Sequence, residues 1–111
     1  MNDLIRPALY GSHHEVVPLR QSLGKGAGRK TDLVGPVCES SDCFRKDLRL
    51  SPRLASGDLL AILSSGAYGM SMAGNYNSRA RPAEVLVDED GSWRVIRDRE
   101  KLDDLVRGEH L

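Results

Sequence analysis

The stretch "AEVLVDEDGSWRVIRDR", residues 83–99, constrains the fold more than any other part of the chain. Two runs rich in β-formers flank Asp90-Gly91, and such a pair between such runs is a hairpin turn signal, because both residues tolerate positive φ. Other segments join this β frame. "EVVPLRQ" reads as a strand, edge-like because Pro18 removes one backbone donor. "DLVGPVC" reads as a second strand, interrupted by Gly35-Pro36. "DLLAILSSGAYG" opens as a continuous apolar run, the pattern of a strand buried on both faces. "DLIRPALYGSHH" is a turn or short helix with its backbone fixed at Pro7. "DREKLDDLVRGEHL" reads as a closing helix, with Leu102, Leu105 and Val106 on one face and Gly108 as its stop. Between these elements, "SLGKGAGRKTD" and "SMAGNYNSRARP" read as loops, and "DCFRKDLRLSPRLASG" as irregular chain with at most one helical turn.

Five short strands, glycine-rich connections and a terminal helix define a mainly β class. The expected architecture is a Greek-key β-barrel or sandwich, one domain spanning 1–111. Nothing alternates as βαβ units do, which argues against a dinucleotide-binding sheet. Forty per cent apolar residues supply a core, and a single Trp and a single Phe make it mostly aliphatic.

Sixteen basic residues balance sixteen acidic ones, so charge gives no reason to expect nucleic acid or an anionic membrane as partner. No apolar run approaches the roughly 18 residues of a membrane span. "MNDLIRPALY" has neither the basic nor the apolar region of a signal peptide. Cys38 and Cys43 are the only cysteines. Their spacing, without an export signal, favours two reduced thiols over a disulfide, and a cytoplasmic location is the default expectation.

Several patterns invite a chemical reading. "GKGAGRKT" fails as a phosphate loop, because Arg29 stands where glycine must precede the lysine. It fails as a dinucleotide fingerprint too, so a solvated loop is the better reading. His13 and His14, adjacent on extended chain, point to opposite faces and do not converge on a metal. In "RPALYG", Arg6 and Tyr10 stand four apart, on one face of a helical turn. An Arg fork beside a phenol suits a carboxylate, although exposed Arg–Tyr pairs are also common. Tyr68 and Tyr76 lie among small residues that allow close approach, which also describes a plain glycine-rich turn. "GPVCESSD" sets Cys38 beside Glu39. One reading is a small residue at a strand end followed by a surface acid; the other is a proton donor beside a cation-binding carboxylate.

The order of these segments carries more than any one of them. "MNDLIRPALYGSHHEVVPL", then "GPVCESSD", then "GDLLAILSSGAYGMSMAGNYNSRARPAEVLV" resembles the C-terminal part of the diaminopimelate decarboxylases. Cys38-Glu39-Ser40 favours that family over the related ornithine decarboxylases, which carry Cys-Asp there. The resemblance implies a lyase of lysine biosynthesis that converts meso-diaminopimelate to L-lysine and CO2. Its cofactor would be pyridoxal phosphate, held on a lysine of a (β/α)8 barrel that this sequence lacks. None of Lys25, Lys30, Lys46 or Lys101 stands in a matching motif. Arg6 and Tyr10 would bind the distal carboxylate of the substrate, and Glu39 the distal ammonium. Cys38 would protonate the substrate carbon, and Tyr68 would lie against the cofactor phosphate and the substrate. The enzyme would be a homodimer, with the Cys-Glu-Ser segment reaching into the partner's site. Met1 matches an internal methionine of the family, so a fragment is expected, inactive alone. Two alternatives stand beside this: an ornithine- or arginine-type decarboxylase of the same fold, and a β domain that binds a partner without catalysis.

Overall fold

The computed structural model describes residues 1–20 and 28–110. The first element, α1, is a single turn, Arg6–Tyr10, begun at Pro7 and ended by Gly11 at φ 69°. Strand β1, Val16–Pro18, pairs antiparallel with β4, Leu60–Ile62. Between them in sequence, β2, Lys30–Val34, pairs antiparallel with β3, Cys43–Arg49. The hairpin of β5, Glu84–Val87, and β6, Trp93–Arg97, follows. Single 3-10 turns stand at Met70–Met72 and Tyr76–Ser78, and α2, Leu102–Leu105, closes the described chain.

The β-rich class and the short closing helix are those read from the sequence. The hairpin forms where Asp90-Gly91 marks it, with Gly91 at φ 83°. Its connection is longer than two residues, since Asp88 N–H donates to Ser92 C=O (2.8 Å). Pro18 ends β1, and among the described residues that strand has one partner, as an edge requires.

Three readings need correction. The segment from Asp42 to Gly57 is not irregular throughout, because Cys43–Arg49 is a seven-residue strand. Its alternation was hidden by register shifts against β2. Asp47, at φ 55°, sits within those shifts and breaks the two-residue period that sequence reading relies on. The loop ascribed to residues 22–32 ends earlier, since Lys30 and Thr31 belong to β2; its residues 22–27 lie outside the described residues. The apolar run at residues 58–69 yields a strand of three residues that is not buried on both faces. Leu59 and Leu63, at its ends, are 67% and 40% exposed. Strand β4 is paired along one edge by β1, and no described layer covers its outer face.

That lack of cover is general. Among the described residues, Leu4, Val16, Val37 and Leu50 are the buried apolar side chains. Register places Val85 opposite Val95 and Val87 opposite Trp93 on one face of the hairpin. All four are exposed, Trp93 by 68%. The radius of gyration is 16.0 Å, against about 13 Å for a compact domain of this length. Two cysteines remain free thiols, Cys38 exposed and Cys43 half-buried. His14 is buried and spent on structure, its Nδ1 lying 3.0 Å from Leu63 C=O and its Nε2 3.1 Å from Ser12 Oγ.

Glu100 ties the C-terminal segment to the loop before β5. It accepts from Arg81 N–H, Arg81 Nε and Asn75 Nδ2, each at 2.7 Å. Those bonds, from Arg81 first and then Asn75, together with the Arg81 charge, hold its carboxyl at about 2, well below the usual carboxylate range. A depressed folded pKa means that the clamp is complete above the ordinary glutamate value and is lost as pH falls towards 2. In a carboxyl-carbon NMR titration, Glu100 is therefore expected to be among the last glutamates to protonate. A midpoint near 4.5 would show that the clamp does not form.

Candidate active site

Two groups of side chains expected to act together are placed on different parts of the fold. The first is built by α1. Pro7 pre-sets the turn, and Gly11, left-handed, ends it with its N–H on Pro7 C=O (3.0 Å). Arg6 and Tyr10 thus share a face, and Arg6 Nε donates to Tyr10 Oη at 2.6 Å. The guanidinium carbon lies 5.7 Å from the Tyr10 ring centre and 5.6 Å from that of Tyr68. Tyr68 arrives from the loop after β4, and both phenols are more than half exposed. Among the described residues no carboxylate pairs with Arg6. The result is an open guanidinium between two aromatic rings, with a phenol hydroxyl alongside: a donor set for an anionic group.

Tyr68 holds its place at some backbone cost. Its φ is 66°, a conformation unfavourable for an aromatic residue. Its neighbour Gly69 is buried, and a Cβ there would lie 2.4 Å from Ser65 C=O. The chain therefore turns tightly from Ser65 to Gly69, and only glycine permits it.

The second group lies on the turn between β2 and β3. Its organiser is Asp42, only 3% exposed. The carboxylate accepts from Val37 N–H (2.9 Å) and contacts the Met1 nitrogen. Burial alone would raise the Asp42 pKa. The bonds from the Met1 nitrogen and Val37, with the charge of Arg79, outweigh burial and hold the carboxyl below its usual range. A Cβ on Gly35 would come within 2.2 Å of this carboxylate, so the turn closes because position 35 has no side chain. Backbone bonds from Gly35 N–H to Asp42 C=O (2.8 Å) and from Asp42 N–H to Glu39 C=O (2.9 Å) complete it.

With the acid inside, the tip faces out. Cys38 is exposed. Glu39 keeps its carboxylate near the surface, where Oε1 accepts from Ser40 Oγ (3.2 Å) and Ser41 N–H (3.3 Å). Among the described residues no cation pairs with Glu39. The sulfur of Cys38 meets Asn77 Nδ2 at 3.7 Å. Among the described residues, no hydrogen bond or ring contact joins Cys38 or Glu39 to Arg6, Tyr10 or Tyr68.

Asn2, Asp42, Asn77 and Glu100 shape these sites and were not singled out from the sequence. Asn2, buried, donates to Tyr76 C=O (2.6 Å) and Gly74 C=O (3.1 Å). The available signals were slight: an Asp closing a Gly-Pro turn, and an Asn at a position where the chain turns left-handed.

Comparison with known proteins places these features in a family. The family described as "Pyridoxal-dependent decarboxylase, C-terminal sheet domain" matches residues 1–66. The chain is 48% identical over 110 residues to the diaminopimelate decarboxylase of Methanothermobacter thermautotrophicus, covering 99% of this chain and 25% of that protein. It is 51% identical over 111 residues to that of Pseudomonas aeruginosa, covering 100% of this chain and 26% of that one. Among solved structures, a diaminopimelate decarboxylase described as from m. jannaschi superposes with a TM-score of 0.85 at 39% identity, over 100% of this chain and 24% of that one. The enzyme from Helicobacter pylori complexed with L-lysine superposes with a TM-score of 0.82 at 46% identity, over 96% and 25%. This chain spans about a quarter of the length of such relatives. It belongs to the family of C-terminal sheet domains of pyridoxal-dependent decarboxylases.

Proposed function

We propose that this chain is the substrate-recognising part of a decarboxylase that converts meso-diaminopimelate to L-lysine and CO2. The observation that carries the reading is the pair of charges without an ionic partner among the described residues, Arg6 beside Tyr10 and Tyr68, and Glu39 beside Cys38. One suits a carboxylate and the other an ammonium, the two charges of an amino-acid head. Arg6 and Tyr10 bind the distal carboxylate, and Glu39 binds the distal ammonium, so the site senses the second amino-acid head of the substrate. Cys38 delivers a proton to the substrate carbon that has lost its carboxylate.

The residues also fit the edge of a pyridoxal phosphate site. Tyr68 is exposed and its ring stands beside the Arg6 guanidinium, a setting for a phosphate oxygen. When bound, that cofactor supplies the electron sink that decarboxylation requires. No described lysine is offered as its anchor: Lys30 is paired with Asp47, neither Lys46 nor Lys101 contacts the site residues among the described residues, and Lys25 lies outside them. The lack of contact between the two groups within one chain supports a homodimer in which the Cys38–Glu39 turn enters the partner's site.

In the full protein encoded by the reading frame that contains these residues, Glu39→Ala is expected to raise KM for meso-diaminopimelate at least about thirty-fold, the equivalent of about 2 kcal/mol for a lost buried charge contact. An unchanged KM removes the ammonium-binding role, and equal turnover of ornithine or arginine moves the substrate assignment to those amino acids. Cys38→Ala is expected to lower kcat far more than it changes KM; wild-type turnover dismisses it as the acid. The 111 residues alone, incubated with pyridoxal phosphate and desalted, are expected to retain no cofactor absorbance. Retained absorbance would mean that the chain carries its own anchor.

A further inference from the structure

We infer that Asn77 is a positioning residue for Cys38, holding the sulfur through its side-chain amide and stabilising the negative charge left there when the proton departs. The inference rests on the reading of Cys38 as proton donor.

Asn77 Nδ2 lies 3.7 Å from Cys38 Sγ, although the residues are 39 positions apart. Each is brought there by a braced loop. Cys38 rides on the turn closed by Asp42. Asn77 adopts φ 57°, ψ 35°, and Ser78 follows at φ 54°. Asparagine tolerates the left-handed region better than most residues, but two such residues in succession need support from their surroundings. That support comes from both sides. Before Asn77, buried Asn2 holds Tyr76 C=O at 2.6 Å. Asn75 Nδ2 bonds Arg79 C=O (2.9 Å) and the Glu100 carboxylate (2.7 Å), which also clamps Arg81. The amide of Asn77 is thus presented to the thiol by a loop fixed at both flanks.

Proton delivery explains why a donor belongs there. The S–H bond breaks, a C–H bond forms at the substrate carbon that has lost CO2, and the sulfur keeps the electron pair. The sulfur stays negative until water returns a proton. An N–H aimed at it stabilises that charge, and also limits the rotation of the thiol before transfer.

A purely conformational role predicts that glycine, which accepts positive φ freely, replaces Asn77 without loss. Asn77→Gly preserves the turn and removes the amide, which makes it the decisive variant. In the full protein we expect it to lower kcat for meso-diaminopimelate about ten-fold, the size of one hydrogen bond to a charged group, with KM within about two-fold. In a Cys38→Ala background the same change should have no further effect, because its partner is gone. Without cofactor, iodoacetamide should modify Cys38 at least about three-fold more slowly in Asn77→Gly, with Cys43 unchanged as internal reference. Wild-type kcat and alkylation in Asn77→Gly, or a full additive loss in the Cys38→Ala background, overturns the inference. If Cys38→Ala itself keeps wild-type kcat, the proton-donor reading fails, and this role of Asn77 fails with it.

Discussion

The buried carboxylate of Asp42 fixes the arrangement on which the rest depends. A carboxylate that is almost fully enclosed remains ionised only when donors surround it. Val37 N–H and the Met1 nitrogen are those donors here, and Gly35 leaves the space that the carboxylate occupies. Because the acid is drawn inward, the residues before it are turned outward. Cys38 and Glu39 stand side by side at the surface as a consequence of where the Asp42 carboxylate is placed. The same contact joins the N-terminal segment to the β2–β3 turn, so α1 and the Cys-Glu-Ser tip belong to one frame.

The frame is open on its other sides. Among the described residues, burial of four apolar side chains is little, and the hairpin shows an apolar face to nothing described. Small domains already bury a limited share of their surface, and one whose ladders are two strands wide buries less. The exposed Val85, Val87, Trp93 and Val95 are where apolar area is left uncovered by the described residues.

The sequence was legible where local chemistry decides the outcome. Asp90-Gly91 announced a hairpin, Pro7 and Gly11 bounded one helical turn, and the i, i+4 spacing of Arg6 and Tyr10 put both on one face. It was illegible where tertiary contacts decide. Strand β3 lost its two-residue period at Asp47, whose left-handed backbone and bond from its N–H to Asp32 Oδ1 (3.0 Å) follow from pairing rather than from composition. The apolar run at β4 promised burial that only a second layer provides. Asn2 and Asn77 carried no periodic signal, because each acts on a residue more than thirty positions away.

The segment from Tyr68 to Arg81 shows how strain and bracing are matched. Tyr68, Asn77 and Ser78 all hold positive φ, each costing on the order of 1 kcal/mol or more outside glycine. Such conformations persist only where surroundings over-determine them. The surroundings here come from both ends of the chain, Asn2 on one side and Glu100 on the other. Both Tyr68 and Asn77 face groups proposed to take part in the reaction, Arg6 and Cys38 respectively. A loop that only connected β4 to β5 would have no need of such unfavourable backbone conformations. A loop that must deliver a phenol and an amide to separate partners has few relaxed ways of doing so, and the clamps at its flanks are what make the strained solution stable.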